Sequence, residues 1–180
     1  MPSDEVLEAD LRFMVSLLGR LYALGAPSPE VEEAVSAVAR AAGRRGTGSG
    51  QGFGLSHAER LAVEAHSVAM ACDHLRAQGY EVRDVGARES YDLDATRGDE
   101  HLFVEVKGTT SAGAEVVLTH NEVLLNAEHH PDTMLIVVAG VELDRAAVPP
   151  TAGGGVLRVA HPWSVDPADL TPVAYRYRLR

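Results

Sequence analysis

The run TMLIVVAGV, residues 133–141, leaves few architectures open to this chain. It contains no charged side chain, yet it is far shorter than the ~20 apolar residues of a membrane-spanning helix. Continuous runs of this length that are rich in valine and isoleucine are typical of strands buried on both faces of a sheet. We therefore predict a central strand, and a sheet with such a strand needs helices to cover it.

Helix and strand patterns surround this run from residue 56 onward. Ser56 and Glu59 form a capping box that starts a helix ending at Gly79. The remaining strand patterns show alternating or continuous apolar residues, and they cover residues 80–85, 91–96, 101–109, 115–119, 156–160 and 173–179. The order predicts an α/β fold, with a mixed β-sheet flanked by helices.

A second capping box, Thr119 with Glu122, starts a helix that ends near HHPD, residues 129–132. The start of a helix is a sufficient explanation for Thr119, Asn121 and Glu122. The alternative is that the free N–H groups of this first turn bind a phosphate.

The first 55 residues have a different character. Residues 3–43 carry apolar side chains at spacings of three and four, interrupted by GAPSP, which predicts a helical hairpin. Residues 44–55 are rich in glycine and serine, as in a linker. They lack the preceding strand and the Gly-Lys-Ser/Thr of a phosphate-binding loop. We therefore predict a hairpin over 1–43, a linker over 44–55 and an α/β domain over 56–180.

The charge of the chain restricts its partners. With 26 acidic residues against 16 lysines and arginines, the formal net charge is −10. Tight binding of nucleic acid through bulk electrostatics depends on Lys and Arg contacts to phosphate, so the composition argues against an autonomous, tight DNA binder. It does not argue against phosphodiester chemistry, because carboxylates that bind metal ions make a site acidic.

The cysteine count and the apolar runs indicate the compartment. Cys72 is the single cysteine, so the chain has no internal disulfide and no cysteine cluster for zinc. No apolar run approaches the length of a transmembrane helix. We predict a cytoplasmic protein without a membrane partner.

Two carboxylates meet in the predicted hairpin around RGDE, residues 97–100. If this turn closes symmetrically, Thr96 lies opposite His101 and Asp92 lies opposite Glu105. Side chains in such pairs have Cβ atoms ~4.5 to 5.5 Å apart, and two carboxylates at that distance repel each other. A divalent cation removes the repulsion, and Mg²⁺ is commonly bound by one or two carboxylates with water and substrate phosphate. The pair predicts a site for Mg²⁺ or Mn²⁺.

Lys107, the only lysine of the chain, lies on the same strand face as Glu105. Its compact charge suits the orientation or deprotonation of an attacking water. Glu64 lies at the edge of the apolar stripe of the helix that follows Ser56, where a carboxylate needs a partner. That predicted stripe comprises Leu61, Ala65, Val68, Cys72 and Leu75. The alternatives are a solvated Glu105–Lys107 ion pair and a partly exposed Glu64 without function.

An Asp followed on the next strand by Glu-x-Lys, here Asp92 and Glu105-Val106-Lys107, resembles the PD-(D/E)XK nucleases. The segments AVEAHSVAMACDHLRAQGYEVRDVG, SYDLDA, VEVKGTT, LTHNEV and the PW and AYRYRL segments near the end resemble the NO VEIN C-terminal domain family. The resemblance covers roughly residues 50–180. It implies a restriction-endonuclease-like fold. Tyr91 stands where the superfamily name has proline.

The resemblance also implies roles for individual residues. It implies that Asp92, Glu105 and Val106 form the metal site, that Lys107 is the catalytic lysine and that Glu64 is the helical acid. The resulting hypothesis is a Mg²⁺- or Mn²⁺-dependent endonuclease that hydrolyses DNA, with a role in defence against foreign DNA by analogy with the superfamily. The alternative is a binding or regulatory module with a nuclease fold and no turnover. A third hypothesis is that the N-terminal helices form a homodimer, which would place two sites for double-strand cleavage.

Overall fold

The structure is a computed structural model that describes residues 55–173. The predicted hairpin over 1–43 and the homodimer built on it lie outside the described residues. So do residues 44–54 of the predicted linker and nearly all of the predicted strand at 173–179.

The described residues form two α-helices, five strands and one short 3₁₀ helix. In chain order they are α1 (His57–Ala77), β1 (Glu81–Asp84), β2 (Leu93–Arg97), β3 (Glu100–Gly108), α2 (His120–His129), β4 (Thr133–Asp144), β5 (Thr151–Ala160) and the 3₁₀ helix Pro167–Asp169. Both predicted capping boxes are present, one at Ser56 and Glu59 and the other at Thr119 and Glu122.

The five strands form a single sheet in the order β1-β2-β3-β4-β5. The pairs β1–β2, β2–β3 and β4–β5 are antiparallel, whereas β3 and β4 are parallel. Helix α2 provides the crossover that a parallel pair requires. The sheet is therefore mixed, and the predicted α/β class with flanking helices is confirmed.

Helix α1 covers one face of the sheet. Its buried residues are Val63, Ser67, Ala71, Cys72 and Leu75, and the main core joins α1 to Leu93, Val104 and Ile136. The predicted stripe was wrong in its first turns, because Leu61 is 50% exposed and Ala65 is also exposed. Its place is taken by Val63 and by the small Ser67, whose hydroxyl donates to the Val63 carbonyl (2.8 Å) and is thereby satisfied inside the helix.

Helix α2 lies at the opposite face, because its side chains reach Phe103 and Lys107, which alternate with the core residues of β3. This cover is less complete than that of α1. The predicted central strand β4 does lie between β3 and β5. Its residues Leu135 and Val137 on the second face are half-buried rather than buried, so the prediction of burial on both faces holds fully only for the α1 side.

The predicted strand at 115–119 was wrong, because these residues belong to the irregular connection between β3 and α2. Both edges of β3 are already occupied by β2 and β4, which leaves no place beside it for another strand. The connection begins with local hydrogen bonds, in which Ser111 N–H donates to the Thr109 hydroxyl (2.9 Å) and the two hydroxyls lie 2.7 Å apart. Such local bonds compete with a strand ladder.

Neither of the two helices in residues 55–173 has the length and apolar character needed to cross a membrane.

Candidate functional site

The predicted hairpin register is confirmed over most of its length, since Thr96 pairs with His101 in the β2–β3 ladder. The regular ladder ends at the pair Leu93–Val104, one residue short of the predicted pairing of Asp92 with Glu105. Asp92 N–H instead donates to the Val104 carbonyl (3.1 Å). The Asp92 side chain then accepts the next ladder N–H, that of Val106, at Oδ2 (2.8 Å).

This departure from the ladder fixes the Asp92 carboxylate beside β3. Burial raises the pKa of Asp92, and the negative charges of Glu122 and Glu64 raise it further, although the Val106 N–H and the Lys107 charge oppose the shift. Asp92 therefore lies in a desolvated site that holds more negative than positive charge. Val106 orients this carboxylate through its N–H group.

Glu105 is the most deeply buried carboxylate of the site, with 5% of its surface exposed. Burial raises its pKa to about 7 despite the attraction of Lys107, and the neighbouring charges of Asp92 and Glu122 contribute to the rise. The repulsion between Asp92 and Glu105 that the sequence predicts is thus present, although the two residues are not paired in the ladder.

Lys107 bridges two carboxylates. Its Nζ lies 2.6 Å from Glu105 Oε1 and 3.0 Å from Glu122 Oε2, and its side chain is 21% exposed. Burial alone would lower the pKa of Lys107, but the charges and hydrogen bonds of Glu105 and Glu122 outweigh burial and raise it. In this arrangement Lys107 is a fixed cation and a hydrogen-bond donor rather than a base.

Glu122 is the site residue that the sequence reasoning missed. Its Oε2 accepts from both Thr119 N–H (3.0 Å) and Lys107 Nζ (3.0 Å), so the residue that caps α2 also holds the lysine. The capping role that the sequence predicts for Glu122 does not by itself indicate this second contact. The missed signal lies in topology, because a crossover helix starts near the carboxyl end of the preceding strand, and Lys107 is the penultimate residue of β3.

Glu64 is placed at the rim of the site rather than within it. The residue is exposed on α1, yet it lies close enough for its charge to raise the pKa of Asp92. Gly108, next to Lys107, permits this approach of the helix. A Cβ atom at Gly108 would lie 2.2 Å from Ser67 Oγ and 2.9 Å from Val63 Cγ1, so a larger residue here would force α1 or its side chains to shift.

The carboxylates line an open cavity of about 220 Å³. Its walls are formed by Gly86, Glu89, Ser90, Tyr91, Asp92, Glu105, Thr119, Asn121 and Glu122. Within residues 55–173, no group of three His, Cys, Asp or Glu side chains is placed to hold a metal ion. The pair Asp92 and Glu105 still fits Mg²⁺, which is often bound through only one or two carboxylates. Burial is the main cause of the raised pKa of both groups, and neighbouring carboxylates add to it, so a bound cation would offset the cost of ionising them there.

Residues 63–149 match the family model described as "Protein NO VEIN, C-terminal", so this segment is similar to that family. This confirms the family resemblance, and the matched segment includes Glu64, Asp92, Glu105, Lys107 and Glu122. Comparisons with curated proteins and with solved structures gave no significant match.

Proposed function

We propose that this domain is a Mg²⁺- or Mn²⁺-dependent nuclease of the PD-(D/E)XK type that hydrolyses phosphodiester bonds in DNA. One observation carries the proposal: two desolvated carboxylates, Asp92 and Glu105, lie beside the lone lysine at the end of β3. The mixed sheet, with this hairpin at its centre and α1 and α2 on its two faces, supports a restriction-endonuclease-like fold.

The chain's own residues have separable tasks in this proposal. Asp92 and Glu105 would hold Mg²⁺, which supplies Lewis-acid polarisation of the phosphate and a lower pKa for the attacking water. Lys107 Nζ donates a hydrogen bond to that water or to the developing negative charge on the phosphoryl oxygens. Glu122 fixes the position of the ammonium group, and the Val106 N–H fixes the carboxylate of Asp92.

A binding module without turnover is the second candidate, and one observation favours it. Lys107 is already paired with Glu105 and Glu122, so the site is internally neutralised in part without any ligand. A non-catalytic site of this kind would use the buried ion pairs to hold α2 against β3. This candidate predicts that partner binding is the same after Asp92→Asn and Glu105→Gln.

The decisive experiment compares cleavage by matched variants. Purified protein is incubated with supercoiled plasmid, single-stranded DNA and RNA, with Mg²⁺ or Mn²⁺, and product formation is followed on gels. We expect cleavage of DNA by the wild type, and none by Lys107→Ala. Arg76→Ala, which removes an exposed cation on α1 away from the cavity, is the control and should cut like the wild type.

Two results would count against the nuclease. One is cleavage that persists in Lys107→Ala, which would indicate a contaminating enzyme. The other is the lack of cleavage by the wild type together with calorimetric titrations that show no millimolar affinity for Mg²⁺ or Mn²⁺, or an affinity unchanged by Glu105→Gln. The second result would favour the binding module.

A further inference from the structure

Four aromatic rings lie together on the sheet face that carries Asp92 and Glu105. The ring centroid of Phe103 is 4.0 Å from that of His129, 4.6 Å from that of His101 and 5.1 Å from that of Tyr91. We call these four residues the aromatic row. Tyr91 also lines the cavity with Asp92 and Glu105, so the aromatic row and the candidate site are continuous.

The rings are ordered but not buried. Phe103 and His129 are stacked with 23° between their planes, whereas Tyr91 meets Phe103 edge-on at 72°. Tyr91, Phe103 and His129 are each half-buried, and 46% of the His101 side chain is exposed. His129 and Phe103 therefore pack α2 against this face of the sheet, while the row as a whole leaves ring surface open to solvent.

A buried carboxylate holds the exposed end of the aromatic row. Asp94, with 5% of its surface exposed, accepts hydrogen bonds from His101 and from Arg83. Burial alone would raise the pKa of Asp94, but these two partners outweigh burial and keep it below its usual value. Asp94 therefore fixes the His101 ring against Phe103 while the Arg83 side chain, 75% exposed, remains accessible to a phosphate.

The net charge of the chain and the spacing of residues along β3 indicate which kind of ligand the aromatic row would bind. With a net charge of −10, the chain cannot rely on phosphate neutralisation for affinity. Stacking of a base on an aromatic ring raises affinity by about ten-fold without such contacts, and it requires unpaired bases. Phe103 lies two residues from Glu105 on the same face of β3, about 6.6 Å along the strand, which one nucleotide spans.

We propose that the aromatic row binds unpaired bases of single-stranded nucleic acid next to the phosphate that a metal ion on Asp92 and Glu105 would bind. The position of that phosphate rests on the proposed nuclease function, whereas the stacking of bases on the aromatic row does not. The domain would then prefer single strands or unpaired ends over continuous duplex.

The test measures binding without cleavage, by fluorescence anisotropy of labelled oligonucleotides in EDTA. Three probes carry the same number of phosphates per strand: a single-stranded oligothymidylate, the same strand with abasic sites, and the duplex of the first probe. We expect wild-type protein to bind the abasic strand and the duplex about ten-fold more weakly than the intact single strand, as the loss of stacking implies.

Variants of Phe103 test whether the preference for unpaired bases arises at the aromatic row. Phe103→Leu should lose about the same ten-fold as the abasic strand, and Phe103→Tyr, which keeps the ring, should retain wild-type affinity. Circular dichroism verifies that both variants are folded. If Phe103→Leu fails to fold, the affinities of wild-type protein for the intact and abasic strands still show whether base stacking contributes to binding.

The outcomes separate this proposal from the nuclease. Equal affinity for the intact and abasic strands, tighter binding of the duplex, or wild-type affinity of a folded Phe103→Leu would overturn the proposal for the aromatic row even if the protein cuts DNA. A ten-fold preference for unpaired bases in a protein that never cuts would support the aromatic row and count against the nuclease.

Discussion

Replacing Glu105 by glutamine should stabilise the metal-free protein, although it removes a partner of Lys107. The pKa of Glu105 is about 7 in the folded chain against 4.5 for the free side chain. Each unit of pKa corresponds to about 1.4 kcal/mol, so keeping this carboxylate ionised above pH 7 costs the folded state about 3 kcal/mol. Glutamine does not ionise, and its carbonyl still accepts a hydrogen bond from the lysine.

The stability gained by Glu105→Gln should increase as the pH rises. Between pH 4.5 and about 7 the folded protein binds more protons at Glu105 than the unfolded chain does, so the contribution of this group to stability is lost as pH rises through that window. The advantage of Glu105→Gln should therefore be about 3 kcal/mol at pH 8 and under about 1 kcal/mol at pH 5.

Urea denaturation of the full chain in EDTA at both pH values measures this difference. Glu128→Gln, an exposed carboxylate on α2, is the matched control and should change the free energy of unfolding by less than about 0.5 kcal/mol. A destabilised Glu105→Gln at pH 8 would refute the reasoning, since it would show that the ion pair with Lys107 outweighs the burial of the carboxylate. Addition of Mg²⁺ should stabilise the wild type and leave Glu105→Gln unchanged.

Three further substitutions test the contacts that support the candidate site. Gly108→Ala places a Cβ 2.2 Å from Ser67 Oγ and should cost about 1 to 3 kcal/mol in urea denaturation, with part of the loss recovered in the double variant with Ser67→Gly. Glu122→Gln should lower the pKa of Lys107, which NMR titration can follow without ambiguity because the chain has one lysine. Asn126→Ala should destabilise by about 1 to 3 kcal/mol, because this buried amide bonds to Thr133, Trp163 and Val165, and a stability equal to wild type would contradict that.

Much of the fold could be predicted from short-range sequence patterns. The two capping boxes, the apolar run at 133–141 and the short turn between Arg97 and Glu100 are short-range features, and the helices, the strand and the hairpin that they predicted are present. The errors arose where a tertiary contact outweighed the local pattern. Residues 115–119 contain a short apolar run like that of a strand, but β3 has no free edge. Leu61 loses its place in the core to Val63, because the small Ser67 and Gly108 let α1 approach along a different side.

The candidate site shows the same division between local and non-local information. Asp92, Glu105 and Lys107 were predictable because a hairpin register converts sequence distance into spatial distance. Glu122 was not, because its contact with Lys107 spans a loop whose course the sequence pattern does not determine. Asp92 is an intermediate case: the hairpin register predicts its position beside β3, but not that its side chain, rather than its main chain, accepts the Val106 N–H.

The contacts that stabilise the fold around the candidate site also position its charged groups. The Glu122 carboxylate caps α2 and pairs with Lys107, the Val106 N–H belongs to β3 and holds Asp92, and Gly108 admits the helix that carries Glu64. Each of these contacts links a structural element to a charged group. Glu122→Gln should therefore lose stability and also change the pKa of Lys107. Asn126→Ala loosens α2 at a distance from the lysine, so it should reduce stability with a smaller effect on that pKa. If the pKa of Lys107 moved equally in both variants, the lysine would be responding to the position of α2 as a whole and not to the Glu122 charge.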